Sequence, residues 1–360
     1  MAYDRRTLFT FFVAIAGVAT AHALAPDNPA PDRAADTSPV QTLTTASGEP
    51  SPELKAKFRR PDSIPFPKAN PFDAAKAELG KHLFFDPRLS SSGSVSCASC
   101  HNPSFDWGDG LDRGVGVTGV RLPRRTPSIL NAAWLSALMW DGRAATLEHQ
   151  ATMPMTAEHE MGMSLDGVTQ RLKKIKGYEP LFQAAFPGEE IRIENAVAAL
   201  ATYERTLVSS KAPFDLWIEG DEAAISAEAK RGFLVFNGPG RCSRCHSSWR
   251  LTDDSFHDIG LKSDDIGRGK FAPPSVVIMQ HAFKTPSLRD LRLTGPYMHD
   301  GSMRSMDEVI EHYEKGGKSR PSLSPEMKRI KLSKQEREDL LAYLGTLRGP
   351  PLQSESPRLP

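Results

Sequence analysis

Charge of one sign is what this sequence most lacks. Its 360 residues carry 45 basic and 44 acidic side chains, a formal net charge of +1 at pH 7. No run of like charge stands out, so neither nucleic acid nor an anionic membrane surface is indicated as a partner. Long apolar runs are also missing. The longest, Leu8–Thr20, is too short to span a bilayer comfortably, and no stable membrane span is expected. Cysteine is scarce, with four in the whole chain. What remains, 39% hydrophobic and 25% charged, describes a soluble globular protein long enough for two domains.

The two ends read differently from the middle. Arg5 and Arg6 precede the apolar run, and Ala21-His22-Ala23 offers small residues at the spacing of a cleavage site. Residues 1–25 are therefore expected to be an export signal peptide, ordinary or twin-arginine, either cleaved or kept as an anchor. The expected location is the periplasm. Residues 26–57 are rich in Pro, Ala, Asp, Ser and Thr, a composition that buries too little surface to fold, so a disordered linker is expected. A Pro-rich tail is expected over residues 349–360.

All four cysteines fall in two short motifs, Cys97-Ala-Ser-Cys100-His101 and Cys242-Ser-Arg-Cys245-His246. Cys-x-x-Cys-His is the attachment signature of c-type haem. Two thiols add to the two vinyl groups of one porphyrin, and the adjacent histidine reaches the iron. Two disulfides, a four-cysteine zinc site and a thioredoxin-like pair compete with this reading. The zinc site is weakened by the 141 residues between Cys100 and Cys242, where a zinc ribbon has roughly 15–20. A thioredoxin-like pair needs no histidine after the second cysteine. Two covalently attached c-type haems is the reading taken here.

The halves share more than this motif. "AELGKHLFFD" (77–86) and "AKRGFLVFN" (229–237) each predict a helix ending ahead of a motif. Beyond the motifs, "TPSILNAAWLSALMWDG" (126–142) matches "TPSLRDLRLTGPYMHDG" (285–301) with identical spacing of Thr-Pro-Ser and Asp-Gly. The expectation is a mainly α fold of two tandem c-type cytochrome domains, 58–210 and 211–348, related by internal duplication. Aligning the Asp-Gly pairs sets Trp140 against His299 and Pro154 against Tyr313. Proline has no atom that binds iron, whereas tyrosinate is a haem ligand. Tyr313 lies on an apolar helical stripe with Met306, Val309 and Ile310. Core packing and iron ligation by Tyr313 both stay open on the residues alone.

The motifs "GKHLFFDPRLS", "SCASCHNP", "MWDGR", "EMG", "CSRCH" and "TPSLRDLRLTGPYMHDG" resemble the bacterial di-haem cytochrome c peroxidase and MauG family across nearly all of residues 58–348. The resemblance implies reduction of hydrogen peroxide at one haem while the other transfers electrons. It makes His101 the proximal ligand of the peroxide haem and His246 that of the second. It makes Trp140 the inter-haem tryptophan and Glu160 the distal acid–base group. Gln150 and Pro154 become the distal glutamine and proline, and Asn131 a ligand of a calcium ion between the domains.

Two departures place the chain on the MauG side of that family. Conventional members have methionine where Tyr313 stands, and many carry a blocking loop histidine where "GVGVTGVRLP" (114–123), with Val117, has none. The implied peroxide haem is open when ferric, and a His246/Tyr313-ligated haem suits high-valent storage or electron transfer. Another position differs from MauG itself: the surface tryptophan expected two residues before the second motif is Gly240, with Trp249 a candidate substitute. The implied partner is an electron-donor protein or a protein substrate with an oxidisable Trp or Tyr. The rivals are a conventional peroxidase fed by a small cytochrome or cupredoxin and a non-enzymatic di-haem electron carrier. A haem-based sensor would need an output domain, and the sequence offers none.

Overall fold

Asp73 accepts a hydrogen bond from the Lys76 amide and starts the first long helix of the chain. The structure is a computed structural model and describes residues 43–45 and 48–360. The expected export segment and most of the expected linker lie outside those residues. Among the described residues the helices are α1 (Pro52–Ala56), α2 (Ala74–Phe85), α3 (Cys97–Cys100), α4 (Leu147–Thr156), α5 (Leu165–Lys174), α6 (Tyr178–Ala185), α7 (Ile193–Thr206), α8 (Pro213–Ile218), α9 (Ala227–Asn237), α10 (Met306–Lys315) and α11 (Lys334–Gly345). Short 3-10 turns and two small antiparallel pairs complete the elements. The pairs are β1 (Phe256–His257) with β2 (Phe283–Lys284), and β3 (Thr294–Tyr297) with β4 (Met303–Ser305). The fold is mainly helical, as expected. No helix among the described residues is long and apolar enough to cross a membrane.

Apolar side chains collect in two large cores. One is built from residues 79–207, around Leu79, Phe84, Trp107, Leu200 and Tyr203. The other is built from residues 214–347, around Phe214, Trp217, Phe233, Phe236 and Tyr343. Each core is centred on one helix crossing, α2 on α7 and α9 on α11, and each crossing needs a glycine. A Cβ on Gly80 would collide with the carbonyl of Ala199, and one on Gly232 with the carbonyl of Asp339. In both cases the next neighbour is the tyrosine four residues on, Tyr203 or Tyr343.

This contact yields a prediction of sign. In an exposed helix Gly→Ala gains about 1 kcal/mol. At Gly232 the obstacle is backbone, which no rotamer change relieves, so overpacking at about 1–3 kcal/mol outweighs the gain. Gly232→Ala is expected to lower the melting temperature of the haem-loaded protein in a thermal scan. A raised melting temperature would show that the crossing is looser than described.

The loops repeat as well. Asn131 and Asp290, Met139 and Met298, and Gly142 and Gly301 all have positive φ at matching places in the two Thr-Pro-Ser to Asp-Gly segments. A left-handed backbone is unfavourable for a non-glycine residue, so the same three places in both halves mean the same loop path.

Both ends of the described chain differ from expectation. Residues 52–56, placed within the linker, form α1, capped by Ser51. Leu54 and, just beyond, Phe58 are buried in the second core, where Phe58 meets Phe214 and Phe233 edge-on. A composition averaged over 26–57 hides Leu54, which pairs at i and i+4 with Phe58 just beyond the segment. Residues 349–360, expected as a tail, lie along the first half: Leu352 packs on its core, and Ser354 is hydrogen-bonded to the Tyr203 hydroxyl at 3.2 Å.

Candidate functional site

His101 follows the last residue of α3, and its ring is turned by one hydrogen bond. Nδ1 donates to the Trp107 carbonyl at 3.2 Å. His246 does the same to the Leu251 carbonyl at 2.9 Å. A carbonyl can only accept, so the proton is on Nδ1 and Nε2 is left with its lone pair. Burial lowers the pKa of both rings, with the backbone hydrogen bonds opposing, and favours neutral imidazole. This is the posture of a metal-ligating histidine.

The surroundings are copied between the halves. Trp107 and Leu251 both have positive φ. Ser128 donates to the carbonyl before Trp107, that of Asp106, at 2.7 Å. Ser287 donates to the carbonyl before Leu251, that of Arg250, at 2.6 Å. The backbones of Pro127 and Pro286 also reach the two rings. The repeated Thr-Pro-Ser is therefore the clamp that aims each histidine.

A cavity of about 830 Å³ is lined by both Cys-x-x-Cys-His motifs. All four cysteines are free thiols. Burial pushes the Cys97 thiol far up and that of Cys242 to about 12, so neither is poised as a thiolate for zinc. Paired thiols, a neutral imidazole beside each pair, and apolar walls fit two porphyrins. Cys245 also lies with Asp253 and His257, their ligand atoms within 4.8 Å of one another. Haem attachment would consume that thiol.

Gln150 and Pro154 on α4 and Glu160 beyond it line the cavity on the side of the first motif. Burial raises the Glu160 pKa, with Arg143 opposing. The Val117 amide donates to the Glu160 carbonyl at 2.9 Å, which ties the loop 114–123 down by its backbone. No histidine of that loop exists to enter the cavity.

Tyr313 lies on α10, whose start is fixed by the Ser305/Glu308 capping box and whose end by Gly316 at positive φ. The expected stripe holds: Met306, Val309, Ile310 and Tyr313 all face the cavity. The Tyr313 pKa is pushed up by burial first, then by Cys245 and Cys242, which places the phenol beside the second motif. No hydrogen-bond donor or acceptor contributes to that shift. Pro154 and Tyr313, paired by alignment, therefore line the same cavity.

Trp140 and His299, also paired by alignment, meet edge to face across the seam, ring centroids 6.4 Å apart. Trp140 Nε1 donates to the Arg125 carbonyl at 2.8 Å. His299 stacks on Phe283 at 3.6 Å. Arg124 binds Asp141 at 2.6 Å and Asp265 at 2.7 Å, which holds the two halves together beside this group.

Two expected residues are held by other side chains. The Asn131 Oδ1 accepts from both the amide and the hydroxyl of Ser209, at 3.1 and 3.3 Å. Asn131 Nδ2 in turn donates to the Ser209 hydroxyl at 3.0 Å, so the side chain is tied to Ser209 by both ends of its amide. Trp249 packs edge-on against Trp134 at 4.9 Å, with the Arg60 and Arg289 guanidinium groups over its ring. Two cations disfavour a positive hole on that indole, so its surroundings suit packing better than electron exit. Sequence reasoning missed Glu204, a buried carboxyl on the cavity wall. Its place on the stripe Ala196, Leu200, Glu204 was the available signal.

Residues 74–223 match the family described as di-haem cytochrome c peroxidase. The methylamine utilization protein MauG of Methylorubrum extorquens is 61% identical over 317 residues, 88% of this chain and 90% of that protein. MauG of Methylophilus methylotrophus is 53% identical over 325 residues, 89% of this chain and 97% of that one. Among solved structures, a MauG-like protein associated with microbial copper homeostasis is 32% identical with a TM-score of 0.73, covering 80% of this chain and 94% of that chain.

Proposed function

Because this chain belongs to the di-haem cytochrome c peroxidase family, we propose that it is a MauG-like peroxidase of the periplasm. It is built as two tandem haem domains, meeting near residue 210, that arose by duplication. Cys97, Cys100 and His101 hold one haem, and Cys242, Cys245 and His246 the other. Hydrogen peroxide is reduced at the first. The observation that carries this reading is the pairing of Pro154 with Tyr313 on one cavity.

When bound, haem supplies the redox-active iron through which peroxide receives two electrons and, with two protons, becomes two waters. The chain's residues do the rest. His101 would hold the iron through Nε2, since its Nδ1 is engaged by the Trp107 carbonyl. Pro154 offers no lone pair or donor on its side chain, so it would not compete with peroxide for the iron, and Gln150 would shape the pocket beside it. Glu160 would take a proton from one oxygen of peroxide and return it to the other. Burial raises the Glu160 pKa above the ordinary carboxyl value, which favours its return to the protonated form.

Tyr313 closes the second site. Among the described residues no hydrogen bond engages its phenol, and without its proton it would be a hard anionic ligand of the kind that favours the oxidised metal. That suits holding an oxidising equivalent for a partner protein with an oxidisable Trp or Tyr. Trp140, its N–H fixed on a carbonyl, stands between the halves as the coupling residue.

The test is consumption of peroxide by the haem-loaded, fully ferric protein in its first turnover. The expected result is immediate consumption. Consumption only after one haem has been reduced would move the chain to the conventional peroxidases.

A further inference from the structure

One ionisable side chain on the cavity wall has no part in the reaction described above. The glycine crossings set its context. Gly80 meets Ala199 and Tyr203, and Gly232 meets Asp339 and Tyr343. That register pairs Tyr203 with Tyr343, and so pairs Glu204 with Leu344. Both line the cavity. The second half fills this place with leucine, and the first with a carboxyl group. Packing therefore does not require a carboxyl there.

Glu204 is 6% exposed, and what is open faces the cavity. No hydrogen bond contributes to its pKa, which burial pushes up to about 8, Arg205 opposing and Glu148 adding. A buried carboxylate without a donor is unfavourable, so what Glu204 offers the pocket is a proton. It stands at the Cys97 edge, since its charge is felt by that thiol.

We propose that Glu204 is a redox-linked proton site of the first haem pocket, protonated when that haem is reduced and ionised when it is oxidised. The inference rests on the two-haem reading. Oxidation sends one electron to an external acceptor and adds one positive charge to the pocket. Glu204 then gives one proton to solvent, so the net charge is restored. Reduction reverses both. Raising the pH favours the carboxylate and with it the oxidised state, so the potential falls as pH rises.

The groups facing Glu204 leave this assignment to it. On α7, Arg205 is bonded to Glu148 of α4 at 2.7 Å, and Tyr203 to Ser354. On α2, Lys76 is bonded to Asn70 and to the Pro71 carbonyl, and Glu78 is exposed. On α5, Asp166, Lys173 and Lys174 are exposed, and Arg171 is bonded to the Arg88 carbonyl at 2.7 Å. Across the cavity the competing carboxyl groups are Glu160 and Asp290, the latter pushed up to about 6 by burial.

The experiment is a spectroelectrochemical titration of the haem-loaded protein between pH 6 and pH 9, following each haem separately. In the wild type the first haem's potential is expected to approach about 59 mV per tenfold change in proton activity for a one-electron couple. Glu204→Gln and Glu204→Leu, the latter copying the residue the chain has at 344, are expected to flatten that slope. The second haem should be unchanged. Redox difference infrared spectra of the wild type give a readout free of folding effects: a protonated-carboxyl band should vanish on oxidation. A slope unchanged in Glu204→Gln, or one removed only by Glu160→Gln, would overturn the proposal while leaving the two-haem reading intact. Purified protein with no covalent haem would overturn the two-haem reading instead.

Discussion

Tyr313→Phe should leave peroxide consumption at the first haem near its wild-type rate and abolish storage of the oxidising equivalent. The hydroxyl is a metal-binding group of α10 beside the second motif, and phenylalanine keeps the packing of the Met306–Ile310 stripe. Axial ligands move haem potentials over about 0.8 V. A tenth of that range exceeds the roughly 59 mV that makes a tenfold change in a one-electron equilibrium. The oxidised form made by one equivalent of peroxide should therefore decay more than tenfold faster in the variant, as read by stopped-flow absorbance. Tyr313→Met should go further and produce a second haem that waits reduced. If Tyr313→Phe stores the equivalent as long as the wild type does, Tyr313 is a packing residue.

Glu160→Gln should slow the reaction of the ferric protein with peroxide by about 10²–10⁴, the usual worth of a positioned acid–base group. Glutamine keeps the size of the side chain and its place beneath the Val117 loop but cannot exchange a proton. The pH dependence follows in sign. Burial raises the Glu160 pKa above the ordinary carboxyl value. The base form that accepts the peroxide proton is lost as pH falls through that raised value. The wild-type rate should fall on its acid side, and the variant's rate should lose that limb. A rate within a few-fold of wild type, with the acid limb retained, would assign proton transfer to another group.

What the sequence made legible was local. The two 126–142 and 285–301 segments could be aligned by eye because their turns need the same residues at the same spacing. The stripe that carries Tyr313 could be read because its period is short. The helix crossings could not be read, since Gly80 and Gly232 meet Ala199 and Asp339 more than 100 residues away, and an isolated glycine in a helix has no visible reason. Nor could Glu204, whose meaning depends on which face of α7 reaches the cavity. Leu54 and Phe58 were hidden by the composition around them. The Ser209 contacts of Asn131 were equally out of reach, since they come from a residue 78 positions away.

The measurement that bears most directly on the account is one titration. Haem-loaded, fully ferric wild-type protein is mixed with one equivalent of hydrogen peroxide and no reductant, and optical and EPR spectra are recorded. The account predicts that the ferric signals of both haems disappear together and return together slowly. Spectra that do not change until one haem has first been reduced would contradict it.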